Sequence, residues 1–354
     1  MSEIRVDKVS PRTGTYVSLN TVGMKNIIIN GDMSIAQRGT SATGLGNGDN
    51  GYHTCDRWEF RESGSPTWEF TQTQSTDVPT GQGFATSLKM DCTTADASLA
   101  TNDMCRIQQS FEGQNLQYLK FGTSSAQSTT VSFWVKSNKT GDYNVSLLNN
   151  DQSRIIGNTY TINSADTWEK KTLTFAGDTA GAFDNDNNNS LSLWWGLLGG
   201  TDRTGGDSSS WGANADNKNV AGQTVNLADS TSNEWYVTGV QLEAGSVASD
   251  FEFLPVDCNL QRCQRYFSTN DIETDYVANG GTAYYKCYPL PVQMRAFPTM
   301  ANVSQWRYFS SGAGANFTPS TIQSSSTLMF EVQGTGLTNC RGFIEGGWSA
   351  DAEL

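Results

Sequence analysis

The sequence predicts an all-β protein built from two β-sandwich, jelly-roll-like domains that follow a short N-terminal attachment segment. Turn-forming residues are abundant, with 35 Gly in 354 residues. Aromatic residues make up 11% of the chain and include ten Trp, so the composition is not that of a disordered protein. Strand-like patterns recur throughout, and no apolar stripe of helical period is sustained. Many short strands separated by turn chemistry are typical of sandwiches.

The chain is long enough for two domains that each bury a core. We place the segment at residues 1–25, the larger jelly-roll domain at 26–256, and a short linker helix with a smaller sandwich at 257–354. The segment reads as two short strands. Two strands alone are marginally stable, so we expect it to pair with another subunit or another protein.

Strict alternation predicts half-buried strands at 130–136 (TVSFWVK) and 143–148 (YNVSLL). Residues 52–60 read as one strand, with Trp58 and Phe60 on one face and Arg57 and Glu59 on the other. Residues 39–51 read as a loop, and residues 115–119 as a single helical turn. Further strands are predicted at 27–29, 67–71, 87–92, 105–111, 155–162, 167–175, 190–198, 223–227 and 235–242.

The stretch 233–267 marks the boundary between the two domains. It begins as the last strand of the first domain, and Pro255 then prevents further ladder pairing. Leu260, Cys263 and Phe267 follow at helical spacing and predict a short helix that begins the second domain. Strands of the second domain are predicted at 276–277, 282–288, 306–309, 327–332 and 341–350.

Charge and hydropathy exclude several classes of function. The net charge of −13 repels phosphate backbones, which argues against nucleic-acid binding. No run approaches the ~18 apolar residues that span a membrane, so we expect no membrane insertion. The N-terminus lacks a signal-peptide pattern. Seven Cys at irregular spacing favour reduced, buried thiols, with one or two late disulfides as the alternative.

Catalytic signatures are missing from the sequence, and we predict that the protein is not an enzyme. His53 is the only histidine, which removes His-based zinc clusters and most Ser-His-Asp arrangements. Gly44, Gly46 and Gly48 lie in a polar loop without the strand and helix that a nucleotide cradle needs. A glycosidase needs two carboxylates about 5 to 9.5 Å apart, and no acid pair stands in a recognisable signature.

Four stretches of sequence resemble motifs of tail-fibre and related structural proteins of tailed bacteriophages, especially marine phages. These stretches are NIIINGDMSIAQRGT (26–40), CDRWEF (55–60), VTGVQLEAGSVASDFEF (237–253) and CQRYF (263–267). The stretch PVQMRAFPTM (291–300) is also similar to a phrase of that family. The chain differs from a long fibre because it encodes no shaft repeat.

The resemblance implies a sandwich similar to carbohydrate-binding modules, a homotrimer, and a location in the virion tail after assembly in the host cytoplasm. It implies a receptor-binding tail fibre that contacts a host surface glycan or protein. Residues 1–25 would then attach to a tail protein such as an adaptor, nozzle or tail tube. The alternatives are a glycan-degrading tailspike enzyme, or a peripheral tail or capsid decoration protein without a receptor role.

Glycan binding requires exposed aromatic rings with polar groups around them. Trp211 lies in the polar loop 199–220, and a plug at a subunit interface is the alternative for its ring. Trp194 and Trp195 are adjacent in a strand, so one of them should leave the core face. In the second domain we select Trp306. Other aromatic candidates there are Tyr284, Tyr285, Tyr308 and Trp348.

A structural calcium ion is the one cofactor left open, since jelly rolls of the carbohydrate-binding type often hold one. Asp184, Asp186 and Asn188 provide oxygen ligands at alternate positions, as in the first half of a calcium loop. The match ends there, because Asn189 occupies the glycine position and Trp195 the position of the bidentate Glu. A solvated turn is therefore the favoured interpretation.

The motif residues themselves read as architecture. Residues 30–32 (Asn-Gly-Asp) have turn chemistry. Arg57 is expected to pair with Glu59 across a strand. Glu243 follows a buried strand and needs an arginine, a backbone turn or a metal as its partner.

Overall fold

The fold is all-β with several antiparallel sheets, which confirms the predicted fold class. The computed structural model describes residues 24–278, 284–310, 313–317, 319, 321–324, 326–334 and 340–354. The attachment segment predicted at residues 1–25 therefore lies almost wholly outside the described residues. The division of the chain into residues 1–25, 26–256 and 257–354 stays a prediction.

Two sheets form the larger, N-terminal part of the protein. One has six strands in the order β1-β4-β5-β13-β7-β10, and the other has seven in the order β12-β9-β8-β11-β6-β3-β2. A short helix α1 spans Thr201–Thr204. The strands are β1 Ser41–Leu45, β2 Gly51–Tyr52, β3 Glu59–Ser63, β4 Glu69–Ser75, β5 Ser87–Thr94, β6 Met104–Glu112, β7 Thr129–Ser137, β8 Gly141–Asn149, β9 Arg154–Ile162, β10 Glu169–Phe175, β11 Asn189–Gly199, β12 Gly212–Ala213 and β13 Glu234–Ala244.

One apolar core fills the space between these two sheets. Phe133 of the six-stranded sheet meets Trp195 of the seven-stranded sheet edge to face, with ring centroids 5.5 Å apart. Trp235 Nε1 donates a hydrogen bond of 3.1 Å across the core to Tyr160 Oη. Burying rings of this size dominates core energetics, and the buried indole N–H finds a partner. The alternation in β7 places Phe133 inside and Trp134 outside, as the pattern predicts.

Four local predictions differ from the structure. Residues 27–29 are irregular and join β13 only through Ile27 N, which donates to Leu242 O at 2.9 Å. Residues 223–227 form a loop instead of a strand, and the strand β1 occupies part of the predicted loop 39–51. Residues 52–60 are not continuous, because Arg57 has a positive φ of 71° and the chain turns between β2 and β3. The helical turn predicted at 115–119 is present as two 3₁₀ turns at Gly113–Asn115 and Gln117–Leu119.

The C-terminal part begins with helix α2, Val256–Gln264, where the spacing predicts one. A sheet in the order β14-β21-β17-β18, with β16 also on β21, lies beside a sheet in the order β15-β20-β19. The strands are β14 Phe267–Ala278, β15 Tyr284–Pro289, β16 Thr299–Asn302, β17 Trp306–Ser310, β18 Ala313–Phe317, β19 Thr321–Ser324, β20 Met329–Gly334 and β21 Cys340–Asp351. A second apolar cluster includes Met294, Trp306, Phe330 and Trp348.

The sequence motifs converge on one buried region, which we call the joint and define by Asn30, Arg57, Glu112, Asn259, Arg265, Tyr266 and Glu353. Asn30 lies at a turn with φ 59° and donates to the carbonyl oxygens of Ile35 (2.8 Å) and Asp56 (3.0 Å). Trp58 Nε1 donates to Asn30 O at 2.9 Å. The motif residues 26–40 and 55–60 therefore hold each other in place.

Helix α2 is tied into the joint by polar contacts. Asn259 accepts a hydrogen bond of 3.2 Å from the backbone N of Asn30 and donates one of 3.1 Å to the carboxylate of Asp32. Cys263 and Tyr266 pack with Ile29 in a small apolar cluster. The helix is thus attached to the first domain as well as to the second.

Arg57 is completely buried and forms an ion pair with Glu353, so the predicted pairing with Glu59 is wrong. Its guanidinium donates to Ser110 O at 2.6 Å and lies 3.6 Å from the centroid of the Tyr266 ring. The positive φ turns the Arg57 side chain out of the expected strand register. Glu59 instead accepts a hydrogen bond of 2.7 Å from Gln108.

Glu112 is the second buried charge of the joint. Arg265 binds both of its oxygens, at 2.8 and 2.7 Å, and Tyr266 Oη donates at 2.6 Å. Burial alone would raise the pKa of Glu112, but the hydrogen bonds from Arg265 and Tyr266 outweigh it and hold the pKa below its usual range. Glu243 has a backbone-turn partner, since it accepts 2.7 Å from Ser249 N.

Six cysteines have described side chains and are free thiols, four of them buried and two, Cys258 and Cys287, exposed. No helix in the described part of the chain is long and apolar enough to cross a membrane.

We expect Arg57→Met to lower the free energy of unfolding by about 3–5 kcal/mol, because it leaves the buried Glu353 carboxylate without its cation. Urea unfolding followed by tryptophan fluorescence measures this. Arg61→Met is the matched control, since Arg61 is exposed and lies 3.5 Å from Glu59, and it should change stability by no more than about 0.5 kcal/mol. Equal effects of the two substitutions would contradict the role given to Arg57.

Glu112 should make stability depend on acid pH. Its pKa is lower in the folded state, so its contribution is complete above the unfolded pKa of about 4.3 and is lost as pH falls through the folded pKa. We expect Glu112→Gln to be less stable than the wild type at pH 7, with a difference that narrows below pH ~4. Thermal unfolding midpoints from pH 7 to pH 3 test this, and a difference that does not vary with pH would refute it.

Candidate functional site

The structure leaves neither Trp194 nor Trp195 open to solvent. The two rings do point to opposite sides of β11, and Trp195 lies in the core beside Trp58 with centroids 5.5 Å apart. Trp194 is on the outer side but is only 1% exposed. Its Nε1 donates to Asn219 O at 3.0 Å, and the Arg106 guanidinium lies 4.2 Å from the ring centroid. The prediction of an open ring here is wrong, because the segment 200–227 covers this face.

The other two selected tryptophans are also engaged inside the protein. Trp211 is half-buried, donates from Nε1 to Ala176 O at 2.6 Å, and meets Phe121 edge to face at 5.7 Å. Trp306 is 1% exposed, lies in the C-terminal core and donates to Asn302 at 3.0 Å. Trp306 therefore has no free ring face. Trp211 joins the core through Phe121, which the polar loop around it does not reveal.

Of the remaining aromatic candidates, only Trp348 has a described side chain, and it does not provide a platform. Trp348 is buried in the C-terminal core. The side chains of Tyr284, Tyr285 and Tyr308 lie outside those that the structure describes.

The loop proposed for calcium uses its oxygens within the chain. Asp186 accepts from Asn188 N at 2.9 Å and from Asn188 Nδ2 at 2.5 Å. The backbone oxygen of Asp184 accepts from Gln117 at 3.2 Å. In the described ranges, no three His, Cys, Asp or Glu side chains come together as a metal site. Calcium binding by Asp184, Asp186 and Asn188 thus stays a prediction, and the described residues add no further carboxylate ligands to them.

An open aromatic face lies instead on the outer side of the six-stranded sheet, and the sequence reasoning missed it. We call it the open face and define it by Lys89, Trp134, Lys136, Trp168, Lys170 and Tyr236. The neighbours of these residues along β5, β7 and β13 point into the core, so alternation sends these side chains outward. Trp134 and Trp168 are half-buried, each with part of its ring accessible.

Strand register brings the side chains of the open face together. Tyr236 of β13 lies directly opposite Lys89 of β5 and Lys136 of β7. Trp134 is opposite Lys170 of β10. Directly opposed residues have Cβ atoms about 4.5–5.5 Å apart, so each lysine stem packs beside a ring.

Tyr236 is the floor of the open face, and charged groups surround it. The Lys136 ammonium lies 4.3 Å and the Lys89 ammonium 5.6 Å from the Tyr236 centroid. The Trp168 ring meets Tyr236 edge to face at 6.1 Å. Tyr236 Oη donates to Glu234 at 2.5 Å, and Lys89 binds the same carboxylate at 2.8 Å. The rings are therefore held in fixed positions by cation–π contacts and hydrogen bonds.

Two acids of this face remain ionised. Burial alone would raise the pKa of Asp77, but hydrogen bonds from Lys136 and Trp168 outweigh it and lower the pKa. The pKa of Glu234 is lowered in the same way, against burial, by bonds from Lys89 and Tyr236. Burial and the neighbouring Glu234 raise the pKa of Tyr236, so its hydroxyl stays protonated. The face thus offers both acceptors and donors beside its rings.

An aromatic cluster closes one end of the open face. Phe84 packs with Phe251 and Phe253, each at a centroid distance of 5.1 Å. It lies over Gly239, where φ is +61° and a Cβ would come within 2.5 Å of the Phe84 ring. Only glycine satisfies both the backbone conformation and the close approach. The Phe253 ring is 52% exposed, so the apolar surface continues outward.

The open face can stack flat apolar rings and hydrogen-bond polyhydroxylated groups. Accessible indole rings with fixed carboxylates and ammonium groups provide both contacts. The sequence contained the signal, because the alternation that places Val131, Phe133 and Val135 inward sends Trp134 and Lys136 outward.

No family model matches the chain, and no curated protein matches it. Similar solved structures include the enzymatically active domain of tailspike protein 4 of bacteriophage CBA120, at 14% identity and a TM-score of 0.32, covering 62% of this chain and 21% of that one. The chain spans about a fifth of the length of that tailspike. A putative sugar binding protein from Bacteroides thetaiotaomicron gives 9% identity, coverage of 62% and 100%, and a TM-score of 0.32. A third similar structure is the family 11 carbohydrate-binding module from Clostridium thermocellum, in complex with a mixed-linked tetrasaccharide. The sequence identity is 10% and the TM-score 0.29, and the match covers 59% of this chain and 98% of that one. Similarity at this level assigns neither a family nor an activity.

Proposed function

We propose that this chain is a structural protein of a phage virion, a trimeric tail fibre that binds a host surface glycan through the open face and does not degrade it. The open face carries the proposal, since it combines accessible Trp134 and Trp168 with fixed polar groups. The four sequence stretches that resemble tail-fibre motifs support the virion location. Three copies would make weak contacts effective by multivalency.

The charge state of the acids favours binding over hydrolysis. A glycosidase needs one carboxyl whose pKa is raised so that it can donate a proton. Asp77 and Glu234, the acids that contact the rings of the open face, both have lowered pKa values. Neither is therefore prepared to act as a general acid.

We expect Trp134→Ala and Trp168→Ala each to weaken polysaccharide binding about tenfold, which corresponds to ~1.4 kcal/mol of lost ring contact. Affinity gel electrophoresis against a panel of neutral and acidic bacterial polysaccharides measures the change. The control is Phe297→Ala, which removes an exposed aromatic ring from the C-terminal part. Unchanged binding by both tryptophan variants would refute the site, and release of reducing ends by the wild type would refute the non-enzymatic function.

Deletion of residues 2–23 should prevent incorporation into phage particles and leave the rest of the protein folded. The described hydrogen bonds begin at Lys25 and Asn26, whose backbone N atoms donate to Glu252 at 2.8 and 3.0 Å. Immunodetection on purified particles and the unfolding midpoint of the truncated protein are the two measurements. Normal incorporation would contradict attachment through this segment.

A receptor role also predicts adsorption behaviour. Particles that lack the chain should adsorb poorly, and the purified protein should compete with intact particles for host cells. Normal adsorption of such particles would contradict the receptor role and favour a decoration protein without one.

A further inference from the structure

A pocket of about 280 Å³ lies on the first domain where it meets helix α2, away from the six residues that define the open face. Ile27 and Ile29 of the first motif, Phe111 at the end of β6 and Tyr118 of the second 3₁₀ turn line one part of it. Another part is lined by Arg262 of helix α2 and by Arg265, which directly follows the helix. Sites for drug-sized ligands typically enclose about 300–1,000 Å³, so this volume suits a ligand of roughly one sugar ring.

The charged groups of the pocket are not equally engaged. Glu112 accepts hydrogen bonds from Arg265, Tyr266 and Gln114, so its oxygens are occupied. Arg262 forms no ion pair with any described carboxylate, and its one hydrogen bond is a long one of 3.4 Å to Asn26 O. A guanidinium has five N–H donors, which leaves most of those of Arg262 for a ligand.

The environment of Arg262 favours an anion. Burial lowers the pKa of this guanidinium, as expected for a cation that has lost part of its hydration. The charged side chains that line the pocket, Glu112, Arg262 and Arg265, sum to +1 in a chain of net charge −13. A planar guanidinium matches a carboxylate in two parallel hydrogen bonds.

The walls add a place for a sugar ring. Phe111 and Ile29 are buried and provide an apolar floor, whereas Tyr118 is 52% exposed and keeps part of its ring accessible. Asn115 also lines the pocket and offers a donor and an acceptor to hydroxyl groups. An apolar floor, an accessible ring and an available cation together match an acidic sugar better than a bare anion.

We propose that this pocket is a second glycan subsite, which binds a single carboxylate-bearing sugar with its carboxylate on Arg262 and its ring against Tyr118. The subsite is separate from the open face and does not depend on it. It would allow the protein to select acidic polysaccharides while the open face binds neutral units.

Isothermal titration of the full chain with D-galacturonate and D-glucuronate, against D-galactose and D-glucose, tests the proposal. We expect saturable binding of at least one uronate at millimolar concentration, at least tenfold tighter than its neutral counterpart. Arg262→Gln should remove this preference and Arg262→Lys should retain part of it. Tyr118→Ala should weaken binding about tenfold, and Trp168→Ala should leave it unchanged. Unfolding midpoints of all variants show whether a loss of binding reflects a loss of fold.

Five outcomes would overturn the proposal. The first is that neither uronate shows saturable binding. The second is that the preference for a uronate survives Arg262→Gln in a folded protein. The third is that acetate binds as tightly as a uronate, which would leave only an anion site. The fourth is uronate binding by a chain lacking residues 2–23 but not by the full chain, because the pocket would then be covered by that segment. Loss of binding through Trp168→Ala with Arg262→Gln unaffected would place the sugar on the open face and count against this pocket as well.

Discussion

The ion pair between Arg57 and Glu353 is the constraint on which the arrangement of the two parts depends. Arg57 comes from a turn of the first domain, and Glu353 follows the last strand of the C-terminal sheet. A buried charge is costly unless it is paired, so the fold is stable only when these two segments meet. Arg38 adds a second cation, which binds Asp351 at 3.0 Å and Glu353 at 3.3 Å. The polar contacts of helix α2 then fix the orientation around this pair.

The two outer sides of the sandwich differ in how far their aromatic rings are covered, and this difference determines where a ligand can bind. The segment 200–227 covers the seven-stranded sheet over Trp194. Asn219 O accepts a hydrogen bond from the Trp194 indole, and the Arg106 guanidinium lies over its ring. The six-stranded sheet leaves Trp134 and Trp168 half-buried, and the Trp168 indole donates a hydrogen bond of 2.9 Å to Asp77 at its edge. One side therefore stabilises the domain, and the other side keeps aromatic rings accessible. The pocket beside Arg262 belongs to neither side, since it arises only where the helix meets the first domain.

The sequence alone predicted the strands of the first domain well, because alternation such as that of Val131, Phe133 and Val135 depends on neighbours two residues away. It could not predict which polar groups pair, because such contacts join distant parts of the chain. Arg57 and Glu353 are 296 residues apart, and Trp194 is covered by a loop whose path local patterning does not encode. The open face was readable in principle from outward-pointing Trp134 and Lys136. Tyr236 joined it only through strand order, which places β13 between β5 and β7.

The distance between Arg57 and Glu353 along the chain also matters during synthesis. The ribosome adds about 5–20 residues per second, so some 15–60 seconds separate the two residues at 296 positions apart. During that interval the first domain can form its sheets, but Arg57 lacks its carboxylate partner and its charge must stay hydrated. The nascent first domain therefore cannot close around Arg57 before the C-terminal strand emerges. Burial of this one cation makes completion of the fold wait until Glu353 has been translated.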